Sequence, residues 1–201
     1  MNATTVGELK KHLRSGKTYR RADLVQWSKS VDRHLQVLVR EGSLKKLRAG
    51  LYYCPKKSVF GEVPADDHEL VRTFLKDDRF LLTSPNAYNA LGLGTTQLYN
   101  RRVVYNHKRH GEFVLGGRTY EFRLKHHFPR QAVTEEFLLV DLMNNLDELA
   151  EDQEALRSRA REKALGMDST RLKRAVHEFA SVSAKKFFAG FLDGKSRASY
   201  P

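Results

Sequence analysis

The chain has little of what covalent cross-linking or membrane insertion requires. It holds a single cysteine in 201 residues, Cys54, so it forms no internal disulfide and suits a reducing compartment. Beside Tyr52 and Tyr53 that thiol reads as a small apolar filler rather than a redox sensor. No apolar run approaches the ~20 residues of a membrane-spanning helix. The opening MNATTVGELKKHLRSGK has no apolar centre of the signal-peptide kind, so a cytoplasmic location with no membrane partner is expected.

The usual signatures of chemistry are missing as well. There is no G-x-x-x-x-G-K-[ST] loop and no G-x-S-x-G elbow, and Gly92-x-Gly94 lacks the next glycine of a dinucleotide site. His107-x-x-His110 and His126-His127 have no Cys or carboxylate at ligand spacing. Asp141 and Glu148 read as solvated carboxylates of one helix. No metal, no cofactor and no catalytic residue are expected, and the chain does not read as an enzyme.

What the chain does have is positive charge, unevenly spread. Net charge is +12, and residues 1–60 alone hold 14 Lys and Arg against 4 Asp and Glu. Residues 101–130 hold 8 against 2, whereas residues 131–201 balance 11 against 12. A basic surface attracts polyanions, because each phosphate it neutralises releases condensed counterions.

Pattern then gives that charge a shape. Thr5 and Glu8 have the spacing of a capping box ahead of Val6, Leu9 and Leu13, and Ser15-Gly16 ends that helix. Thr18 suits the cap of a second short helix over residues 19–26, burying Tyr19, Ala22 and Leu24 or Val25. Ser28 or Ser30 caps a third over residues 31–41, stopped by Gly42. At 100° per residue, Val31, Leu35, Leu38 and Val39 share one side of it, with His34 at the margin. The other side presents Lys29, Ser30, Arg33, Gln36, Val37 and Arg40. Arg and Gln are the side chains that read guanine and adenine edges in a major groove, and a small apolar group meets a thymine methyl.

Residues 43–53 follow as two short strands turning at Gly50. Leu44, Leu47, Leu51 and Tyr53 face inward, while Lys45, Lys46 and Arg48 project where backbone phosphates flank the groove. Three helices and a basic hairpin compose a winged helix-turn-helix over residues 1–60, a module that binds double-stranded DNA.

The run REGSLKKLRAGLYY, residues 40–53, resembles the N-terminal domain of AbiEi-type antitoxins of type IV bacterial toxin–antitoxin systems. RFLLTSPNAYNALGL at residues 79–93 is similar to the opening of that family's C-terminal domain, and RVVYN at residues 102–106 continues the likeness. The resemblance spans about residues 5–130. It implies a transcriptional autorepressor that binds inverted repeats in its own promoter. It also implies an antitoxin whose C-terminal domain counters a nucleotidyltransferase-type toxin, although stand-alone regulators without a toxin share the pattern.

Residues 61–201 are expected to form an α+β antitoxin-type domain behind a linker at residues 56–66. Asp66 or Asp67 caps a helix over 68–76, and Ser84-Pro85 opens another that ends near Gly92. Strands are expected at 79–83, 101–106, 112–115 and 119–125, with Gly116-Gly117 as a hairpin turn. Helices fill residues 134–192, and residues 194–201 read as frayed. The whole chain is therefore α+β, a winged helix followed by a mixed α/β domain ending in helices.

The second basic region carries its own alternatives. Arg101, Arg102, Lys108, Arg109, Arg118, Arg123 and Lys125 interleave with Tyr105, Phe113, Tyr120 and Phe122. That pattern suits a surface for RNA or single strands, as in a ribosome-associated protein, or for an acidic partner. It equally suits an amphipathic sheet whose aromatics are core.

Overall fold

A computed structural model describes residues 6–95, 98–130 and 132–192. The fold is mixed α+β, with its chain shared between two compact units. One unit holds the described residues up to Phe80 together with His107–Leu124; the other holds Leu81–Asn106 together with the described residues from Lys125. Thr5 and residues 194–201, on which a cap and a frayed end were expected, lie outside the described residues. Among the described residues, no helix is long and apolar enough to cross a membrane.

The first unit opens with helix α1 (Val6–Lys11), strand β1 (Thr18–Arg20), helix α2 (Arg21–Leu24) and a 3-10 turn (Val25–Trp27). The helix expected over 19–26 is thus present from Arg21, as one α-turn continued in 3-10 form, and its first two residues are strand. Thr18, Tyr19 and Arg20 instead pair with Tyr53, Tyr52 and Leu51, a ladder that competes with helical bonding and wins. Ala22 and Val25, expected inside, are exposed, and Leu24 alone of that set is fully buried.

Helix α3 (Val31–Arg40) follows, ending on Gly42, whose φ of +74° only glycine adopts freely. Strands β2 (Lys45–Arg48) and β3 (Leu51–Tyr53) form an antiparallel hairpin across Gly50, and β1 adds to its far side in the order β1-β3-β2. Leu9, Leu24, Val31, Leu35, Leu38 and Leu44 make the core beneath, each removed from water and each contributing ~1.5–3 kcal/mol of burial.

Residues 56–66, expected as a linker, are largely a second hairpin. Strand β4 (Lys56–Ser58) pairs with β5 (Gly61–Val63), and the Ser58 hydroxyl ties the turn by donating to the Gly61 carbonyl and accepting from the Phe60 amide. A single hydroxyl and a glycine at φ +109° make a turn there that composition alone reads as unstructured chain. Its tip leaves Val59 and Phe60 almost wholly in solvent.

Helix α4 (Asp67–Leu75) is capped by the Asp66 carboxylate, which accepts from the Glu69 amide at 2.9 Å, and it packs on β1. Strands β8 (Gly111–Leu115) and β9 (Arg118–Leu124) complete this unit as a hairpin on Gly116-Gly117. Their aromatics Phe113 and Phe122 pack with Phe74 of α4, and the Gly116 amide donates to the Leu47 carbonyl. A Cβ at Gly116 would lie 3.1 Å from Leu47 Cδ2, and φ of +58° and +78° at Gly116 and Gly117 is backbone that glycine adopts freely.

The second unit takes up the chain at Leu81, within β6 (Phe80–Thr83), which neighbours β7 (Arg102–Asn106), and a 3-10 helix at Pro85–Leu91 lies between the two strands in sequence. Ser84, expected to cap an α-helix there, makes no side-chain cap bond. Helix α5 (Glu135–Asn144) is the centre: every residue from Phe137 to Met143 is buried. The 3-10 helix and helices α6 (Gln153–Gly166), α7 (Ser169–Phe179) and α8 (Val182–Leu192) pack around it. Thr134, Asp152 and Asp168 cap α5, α6 and α7 through side-chain bonds, which sets where each begins.

Candidate nucleic-acid interface

Helix α3 divides into two faces. Val31, Leu35 and Leu38 are buried, and His34, expected at the margin, is buried too, its Nδ1 2.8 Å from the buried Ser28 hydroxyl. Ser28 is thereby committed to His34 rather than to capping, and Ser30 holds the cap position without a side-chain bond. On the other face Lys29, Ser30, Arg33, Gln36 and Arg40 are exposed, and Val37 is half-buried. Lys29, Arg33 and Arg40 have no ion pair among the described residues. The helix start is fixed by Arg21, whose guanidinium gives Asp32 two bonds of 2.6 Å and holds that carboxyl below its usual range.

The basic hairpin distributes its three cations differently. Lys46 is exposed and has no ion pair among the described residues. Lys45 pairs with Glu62 of β5 at 2.7 Å, an exposed bridge worth ~0–1 kcal/mol that a phosphate can displace. Arg48 lays its guanidinium over Phe113 at 4.9 Å and Phe74 at 5.5 Å, which holds the side chain against the unit. Of the three, Lys46 is the one with its charge fully available.

The second basic region is divided between the units and heavily engaged. In the first unit, Lys108 pairs with Asp77 at 3.1 Å, and Arg109 stacks on Phe74 at 4.6 Å. Arg118 binds Asp67 and the Ala65 carbonyl, each at 2.5 Å, and Arg123 binds Glu121 at 2.7 Å. Tyr120 adds a short bond to Asp67. In the second unit, Arg101 pairs with Glu148 at 3.0 Å, Arg102 is half-buried at the start of β7, and Lys125 turns inward. Arg79 and Lys108 together hold the Asp77 carboxyl well below the ordinary carboxylate range.

Lys125 leads to a cluster that sequence reasoning missed. Asp141 is 1% exposed, and its carboxylate accepts from Lys125 Nζ at 2.8 Å, from the Tyr88 hydroxyl at 2.9 Å and from the Tyr105 hydroxyl at 3.0 Å. Asn145 Nδ2 donates to both tyrosine oxygens at 3.1 Å, and Lys125 sits 3.7 Å from the Tyr105 ring centroid. Burial, then the Asp141 charge, push the Tyr88 hydroxyl far up, so it stays a donor. Asp141 is therefore not a solvated carboxylate, and Glu148 lies in the 3-10 turn after α5 rather than on the same helix. The signal was present: one acid inside the apolar run from Phe137 to Met143. Cys54 is half-buried against the α3 core, and burial pushes its thiol up, which suits a filler.

No protein-family model matches the chain. No curated protein matches it. Among solved structures it is similar to the crystal structure of the Rv2827c protein from Mycobacterium tuberculosis, with a TM-score of 0.56 and 17% sequence identity over 94% of this chain and 74% of that one. At that identity the likeness speaks to the α+β fold alone.

Proposed function

We propose that the chain is a DNA-binding transcriptional regulator that reads duplex DNA through α3 of an N-terminal winged helix-turn-helix. The observation that carries this reading is the two-faced α3. Its inner residues Val31, His34, Leu35 and Leu38 are buried, which fixes its orientation, while Arg33, Gln36 and Arg40 stand in solvent on the opposite side. Those are the side chains with bidentate partners on guanine and adenine. The β2–β3 hairpin is the wing, with Lys46, and Lys45 after exchange with Glu62, reaching phosphates. Arg48 positions the wing by stacking and contributes less to binding.

The resemblance of residues 40–53 and 79–93 extends the proposal to a cytoplasmic, non-enzymatic AbiEi-type antitoxin. Such a protein represses its own promoter at inverted repeats and counters a nucleotidyltransferase-type toxin. The engagement of Arg101, Arg118, Arg123 and Lys125 inside their own units speaks against a broad RNA-binding sheet.

Gel shifts with the chain's own promoter against random duplex and structured RNA test the first part. Arg33→Ala or Gln36→Ala is expected to erase ~1–3 kcal/mol of promoter preference, with a smaller loss on random duplex. Equal loss on both duplexes would refute base reading by α3. Co-expression with the neighbouring reading frame tests the antitoxin part: rescue of a growth arrest supports it, and no effect removes it.

A further inference from the structure

A recessed basin in the first unit gathers cations from three separate stretches of chain. It measures about 540 Å³ and is lined by Arg20, Arg21, Lys76, Lys108 and Arg109, with Phe74 among its apolar lining and the Ala49-Gly50 turn at one side. Among the described residues no carboxylate lines it. Three of the five cations are held in place: Arg21 by Asp32 behind it, Lys108 by Asp77 and the Lys76 carbonyl at 2.8 Å, and Arg109 by stacking on Phe74. Arg20 and Lys76 have no ion pair among the described residues. Lys76 is placed by a left-handed backbone, φ +53°, at the end of α4.

We propose that this basin binds a small polyphosphate, of the di- or triphosphate size carried by nucleotides. The volume is that of a small-molecule site. Cations arranged around a concavity converge on one compact polyanion, and three of them are pre-oriented, which lowers the ordering cost of binding. A duplex presents its phosphates along a convex rail, which suits the exposed α3 face and Lys46 better than this recess. Arg21 belongs both to the basin and to the start of α3 through Asp32, so a ligand that draws on Arg21 bears on α3 as well.

The test is calorimetric titration of the full chain with inorganic pyrophosphate, beside two variants of equal charge change. Lys76→Glu is in the basin, and Lys46→Glu is on the wing. Saturable one-site binding is expected, weakened at least tenfold by Lys76→Glu and less than twofold by Lys46→Glu. Arg20→Gln, which removes one basin cation without adding a carboxylate, is expected to weaken it at least threefold. Equal effects of the two glutamates would reduce the site to general attraction of a basic chain and overturn the proposal. So would an absence of saturation at millimolar pyrophosphate alongside weaker duplex binding by Lys76→Glu, which would assign the basin to the DNA track. Loss of promoter preference in Arg33→Ala bears on the DNA reading alone, so the two can fail separately.

Discussion

Replacing Asp141 by alanine removes the acceptor for three donors at once. Lys125 loses its 2.8 Å partner while its side chain remains only 25% exposed. The two tyrosine hydroxyls lose the carboxylate, though Asn145 still donates to both and the Asp141 carbonyl still lies 3.4 Å from Tyr88. Breaking a buried pair by deleting one partner costs ~3–5 kcal/mol, because the stranded cation is worse than the lost attraction. Asp141→Asn keeps shape and one acceptor and should cost ~1.5–3 kcal/mol, the worth of a charge-assisted bond. The double variant Lys125→Met, Asp141→Leu strands no charge and should be more stable than Asp141→Ala. Urea unfolding followed by far-UV circular dichroism at neutral pH measures all three. A loss below ~1 kcal/mol for Asp141→Ala, the level of a neutral hydrogen bond, would show the carboxylate already neutralised elsewhere and refute the reasoning.

Other expectations are smaller in scope. Lys46→Ala should weaken binding to every duplex and lower the slope of log K against log salt by ~1, which a salt titration checks. Leu38→Ala removes a fully buried side chain from the α3 core and should cost ~2–5 kcal/mol in urea unfolding, with promoter binding lost only as the fold is lost. Asp152→Ala, which strips the α6 cap of two amide bonds, should cost ~1 kcal/mol. Asp77 has a depressed folded pKa, so its contribution is complete above the unfolded value near ~3.9 and is lost as pH falls below it. Asp77→Asn should therefore lower stability at neutral pH and flatten its decline in acid, read from unfolding curves at about pH 2 to 7.

Helices marked by caps and periodic leucines were legible: α3 and α4 begin beside the Ser30 and Asp66 offered as caps, the helical run expected from residue 134 opens at Glu135, and Gly42 and Gly116-Gly117 turn where glycine is required. The 18–20 segment was not, because local pattern favours a helix there and only its pairing with Tyr53, Tyr52 and Leu51, thirty residues on, makes it a strand. Residues 56–63 were opaque for a similar reason: one Ser58 hydroxyl and one glycine set the turn. The exposed side of α3 was legible from the helical wheel. The fate of each basic residue was not, since Lys45, Arg48 and Lys108 differ from Lys46 only in which carboxylate or ring the fold sets beside them.

The interleaving of the chain sets a schedule for its synthesis. Phe74 and Leu47 meet the β8–β9 hairpin, but that hairpin is encoded after the whole of Leu81–Asn106, which belongs to the other unit. At roughly 5–20 residues per second, a ribosome needs on the order of seconds to pass from residue 80 to residue 124. For that interval the α3 core can close on itself while the aromatic side of α4 waits uncovered. The nascent chain thus depends on a partner for Phe74 that arrives late, and a pause or truncation between residues 80 and 124 would leave the protein with its first unit begun but unsealed.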